Sequence, residues 1–96
     1  MEYEIIDHGK EASDYFQGCG TCFTDFNHVV TGCGFNQKEA YEDAVEQIYD
    51  FYLENEIDYS NINLPKKPKG FKKKNAVTIK EAENNVYWYV SVRFNF

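Results

Sequence analysis

The 96-residue chain predicts an α+β domain of order β-β-β-α-β-β, with one amphipathic helix packed on a mostly antiparallel sheet. Three observations predict it. Apolar residues recur at helical spacing between Asn36 and Asn55, and residues 86–94 alternate apolar with polar as a half-buried strand does. Short β-branched or aromatic runs, separated by glycine and asparagine turn signals, fill much of the remainder. A chain of this length supports one core, so residues 1–96 are expected to form a single domain.

Residues 3–7 alternate, with Tyr3 and Ile5 on one side, and read as a first strand ending at Gly9. Residues 10–17 are polar and mixed and read as a loop, with Gly18 and Gly20 punctuating the approach to a second strand at 21–25. A turn at Asp25–Asn27 leads to a third strand beginning at His28, so that residues 21–33 form a hairpin. Asn36 followed by Glu39 has capping-box spacing and starts the helix. Tyr41, Ala44, Val45, Ile48 and Tyr52 then form its apolar stripe, with Phe51 at the margin. Burial of each larger member should contribute about 1.5–3 kcal/mol, well above any surface ion pair on the same helix.

Residues 59–75 form an exposed basic linker, because Pro65, Pro68 and Gly70 interrupt regular structure. A C-terminal β-hairpin is expected beyond it: a fourth strand at 76–80, a turn at Glu83-Asn84-Asn85, and a fifth strand at 86–94. On that last strand Val86, Trp88, Val90, Val92 and Phe94 share one face, and Tyr87, Tyr89, Ser91 and Arg93 the other. An exposed final strand would leave an edge on which a second copy could pair, making a homodimer an expectation of the same reading.

A formal net charge of -6 repels phosphate backbones on average and favours a basic partner. No apolar run reaches the roughly 18–20 residues that span a bilayer, and acids stand where a signal peptide carries lysines. The three cysteines are an odd number for a disulfide framework, so reduced thiols and a cytoplasmic location are expected.

The acids are patterned. Glu39, Glu42, Asp43, Glu46, Asp50 and Glu54 recur three or four apart on the helix face opposite the apolar stripe, and only Lys38 offsets them. Like charges so spaced weaken a helix, and Asp50 and Glu54 oppose the dipole at its C-terminal end. The stripe is therefore either a solvated face or a docking surface for a basic protein.

The other chemical constellations are sparser. Cys19, Cys22, His28 and Cys33 are ligand types suited to tetrahedral zinc, at a spacing close to a zinc knuckle, although two of the cysteines fall in the expected hairpin strands. A redox role for Cys19 and Cys22 would need a helix directly after the pair, where a strand is expected. Lys66, Lys67, Lys69, Lys72, Lys73 and Lys74 could grip phosphates, with Tyr87, Tyr89 and Arg93 supplying a stacking face for single-stranded nucleic acid. With two histidines, no glycine-rich phosphate loop before a helix and no carboxylate pair fixed by spacing, neither an enzyme nor a cofactor is expected.

Thr24-Asp25-Phe26, Val29-Val30-Thr31-Gly32, then Gln37-Lys38-Glu39-Ala40 opening a helix that closes with Phe51-Tyr52-Leu53-Glu54, resembles the HicB-like antitoxin domain over the central third of the chain. Thr24 stands where that family has a proline, and Cys33-Gly34-Phe35 lengthens the approach to the helix. The resemblance implies a non-catalytic domain, with a helix on a partial ribonuclease-H-like sheet, that binds and neutralises a protein, typically a small basic toxin that cleaves RNA. The leading expectation is accordingly an acidic binding protein, antitoxin-like or a phage-type inhibitor. A single-stranded nucleic-acid module and a small zinc protein stand as alternatives.

Overall fold

The computed structural model describes residues 3–16, 21–23, 28–57, 64–65 and 76–94. The elements are β1 (Tyr3–Ala12), a 3₁₀ turn (Ser13–Phe16), β2 (Thr21–Phe23), β3 (His28–Gly34), α1 (Gln37–Glu54), α2 (Ile79–Glu83) and β4 (Val86–Phe94). The strands form one sheet of order β1-β4-β3-β2, antiparallel at every pairing, and α1 lies across one face. This is the α+β architecture expected, and the β2–β3 hairpin is formed as read. The Asp25–Asn27 turn lies outside the described residues, as does the basic linker apart from Leu64 and Pro65.

Three expectations about elements are corrected. Residues 76–80 are not a strand: residues 76–78 are irregular and α2 begins at Ile79, so β4 is preceded by a short helix and there is no C-terminal hairpin. The cause is Thr78, whose hydroxyl accepts the Glu81 N–H at 3.2 Å while the Glu81 carboxylate accepts the Thr78 N–H at 2.7 Å. That reciprocal cap outweighs the strand preference of Val77-Thr78-Ile79. The first strand does not end at Gly9 either. Gly9, at φ +70, sits in a bulge closed by its N–H donating to Asp7 Oδ1 at 2.9 Å, and pairing resumes as far as Ala12 opposite Val86. Finally β4 is an inner strand, flanked by β1 and β3, and offers no edge to a second copy.

α1 matches its sequence signals closely. Asn36 Oδ1 accepts the Glu39 N–H at 2.9 Å, while the Glu39 carboxylate reaches the Phe35 N–H at 3.2 Å, one residue before the cap. At the far end the Ile57 N–H donates to the Tyr52 carbonyl at 2.9 Å and the Glu56 N–H to Leu53 at 3.3 Å, a Schellman closure with Glu56 in the left-handed region at φ 55.

The core lies between this helix and the sheet. Ala40, Tyr41, Ala44, Ile48 and Tyr52 are buried against Val30, Val90, Val92 and Phe94, with Val77 and Trp88 closing one end. Helix and sheet meet most closely at Gly32, where a Cβ would collide with the Ala40 carbonyl and the Ala44 backbone nitrogen. Glycine in a strand marks such an approach, and the two alanines are its other half.

Candidate functional site on the outer face of the main helix

The six acids expected to form one docking stripe divide into two sets. Beyond the Thr21–Val30 pair, the outer edge of β3 takes partners from α1. The Cys33 N–H donates to Asp43 Oδ2 at 3.0 Å, Gln47 Nε2 donates to the Thr31 carbonyl at 2.8 Å, and the Phe35 N–H donates to Glu39. The match is metric. Helix positions four apart rise about 6 Å, and alternate strand residues advance about 6.6 Å, so Glu39, Asp43 and Gln47 meet Phe35, Cys33 and Thr31 in step. Two of the six acids thus serve the fold by occupying backbone groups that would otherwise form an open strand edge. Sequence reading missed this role, since a strand edge leaves no mark in the periodicity of a helix.

The other four, Glu42, Glu46, Asp50 and Glu54, stand at successive four-residue intervals and are exposed. Lys38 lies 3.5 Å from Glu42, and no ion pair reaches Glu46, Asp50 or Glu54 among the described residues. Exposed Tyr49 and Leu53, the latter 67% exposed, lie on the same ridge. Beside it runs a cleft of about 190 Å3 lined by Tyr41, Glu42, Val45, Tyr49, Leu64 and Pro65. The Tyr41 hydroxyl donates to the Pro65 carbonyl at 2.5 Å, fixing the two walls together. Burial, with lesser effects from Tyr3 and Tyr49, pushes that hydroxyl up to about 12, so it keeps its proton across the ordinary pH range.

The tyrosine face expected on β4 is corrected in part. Tyr89 and Ser91 are 6% and 4% exposed, and a base could not stack on Tyr89. Tyr87 is half-buried and meets Phe35 edge-on at 6.1 Å, and Arg93 is exposed 3.6 Å from Glu4. The lysines from Lys66 to Lys74 lie outside the described residues.

The register also separates the zinc candidates. His28 is opposite Phe94, on the helix side, with its ring 5.1 Å from Phe51 and 5.4 Å from Phe94. Cys33 is five positions along β3, an odd interval that puts it on the other face, roughly 16 Å away by strand rise. Cys22 pairs with Val29, four positions from Cys33 or about 13 Å, and Cys19 lies outside the described residues. Ligands of one zinc ion must all lie within about 2.3 Å of it, which His28 and Cys33 cannot both do. Burial first, and then the Asp43 carboxylate, raise the Cys33 thiol above its ordinary value, the reverse of what a metal ligand or nucleophile needs.

One polar pairing escaped sequence reading because its members are far apart in the chain. His8 Nε2 lies 2.7 Å from Ser91 Oγ, which lies 2.8 Å from Thr31 Oγ1. The Ser91 hydroxyl sits mid-strand on β4, between β1 and β3. These three side chains tie β1, β4 and β3 together. No helix among the described residues is long and apolar enough to cross a membrane. Comparison with protein-family models, with curated proteins and with solved structures gives no match to this chain.

Proposed function

We propose that this chain is a non-enzymatic binding domain, acting in the cytoplasm as an antitoxin-like or phage-type inhibitor, that holds a basic protein against the outer face of α1. One observation carries the reading: Glu42, Glu46, Asp50 and Glu54 form a run of like charges that costs the helix stability, while Glu39 and Asp43 beside them are consumed by the fold. Among the described residues no ion pair reaches Glu46, Asp50 or Glu54, and the last two oppose the dipole at the C-terminal end of α1, an arrangement that an external cation would offset. The resemblance of residues 24–54 to HicB-like antitoxin domains agrees in kind, since those domains neutralise small basic toxins.

The test uses the partner captured by the immobilised chain from its host. Changing Glu46, Asp50 and Glu54 together to Lys should weaken binding of that protein more than tenfold and reduce its salt dependence, with the circular dichroism spectrum retained. Unchanged affinity in a folded triple variant would exclude this face as the interface.

A further inference from the structure

The cleft beside the acidic ridge has a size and rim that say more about the partner. At about 190 Å3 it falls below the roughly 300–1,000 Å3 of pockets that enclose small molecules or cofactors, and suits one side chain. Its walls are the apolar bodies of Tyr41, Val45 and Tyr49 on α1 and of Leu64 and Pro65 opposite, with Glu42 as the one ionised group among them. The hydrogen bond from Tyr41 to Pro65 ties the Leu64–Pro65 wall to α1, so little ordering opposes entry of a side chain. Glu46 and Asp50 continue the negative charge along the ridge from its mouth.

We infer that this cleft receives a single aromatic or branched apolar side chain from a basic peptide segment, whose flanking lysines or arginines lie along Glu42, Glu46 and Asp50. The inference rests on the reading of the acidic face given above and adds to it an anchor. Charge alone would make the face bind any polycation; the cleft makes it choose among them.

Two labelled pentapeptides separate the ideas: one with Trp between two pairs of lysines, and the same peptide with Ala in the centre. Fluorescence anisotropy at low salt should show the Trp peptide binding about tenfold more tightly, the low end of what burying an aromatic side chain in a partly open site gives. Tyr49→Ala and Leu64→Ala, one on each wall, should erase that difference while leaving the salt-dependent binding of the Ala peptide. Phe35→Ala, an exposed apolar residue elsewhere, should preserve it. Equal affinity for the two peptides, or a difference that survives both wall variants, would overturn the anchor and leave the acidic face standing. Failure of both peptides to bind would overturn the two together. Sedimentation of the chain alone supplies the remaining arm, since a dimer that Tyr49→Ala dissociates would give the cleft to a second copy and end the peptide assignment.

Discussion

Position 32 has room for a hydrogen and nothing larger, because the Ala40 carbonyl and the Ala44 backbone occupy the space a methyl group would need. Gly32→Ala should lower stability by about 1–3 kcal/mol, as overpacking does, measured by urea unfolding. Glu56 presents the opposite case, a residue with a Cβ where the backbone is left-handed. Glu56→Gly should raise stability by about 0.5–1 kcal/mol, since relief of that strain exceeds the added freedom of the unfolded chain, and a thermal midpoint that falls would refute the assignment. Neither site was legible beforehand. Glycines were read as punctuation between strands, whereas Gly32 is a mid-strand contact that depends on which helix residues come to lie over it. The acids were legible as a stripe, yet the division between Asp43, which serves the β3 edge, and Asp50, which no ion pair reaches among the described residues, needed coordinates.

The elements with unbroken periodicity were the most readable, whereas the alternation of the ten-residue β1 is interrupted by the bulge at Gly9. Eighteen residues of α1 and nine of β4 declare themselves, with the Asn36 cap marking where the helix starts. The five residues of α2 are too few to show a period, and the β-branched run before it argued for a strand. The correct signal was nonetheless present, as Thr78-x-x-Glu81 has the spacing that identified the start of α1 within a residue. That cap has a measurable pH signature. The Thr78 N–H, foremost, and the Lys10 ammonium at 3.1 Å lower the Glu81 pKa below its ordinary value. The unfolded chain therefore takes up its proton first as acid is added, so the stability from Glu81 is present above the ordinary glutamate range and lost below it. Glu81→Gln should flatten that part of the acid limb of a stability-against-pH curve; an unaltered limb would show that the ionised carboxylate contributes nothing to the fold.

Strand order is a property of the whole chain, and no local pattern specifies it. Alternation identified residues 86–94 as a strand but could not say that they lie inside the sheet, and so the expected edge fell; nor could it say that Tyr89 and Ser91 are buried. The net charge was legible at this scale, and it agrees with the exposed acids Glu42, Glu46, Asp50 and Glu54 on α1. The inner place of β4 also bears on how the molecule is made. β1 pairs with β4 along nearly its whole length, and β3 takes β4 on its other side, so among the described residues the strand partner of β1 lies far downstream in the chain. Emergence from the ribosome and assembly thus run out of step. Until Val86–Phe94 arrives, the edge of Tyr3–Ala12 that faces it stays unpaired, and the sheet β1-β4-β3-β2 cannot be joined across its middle.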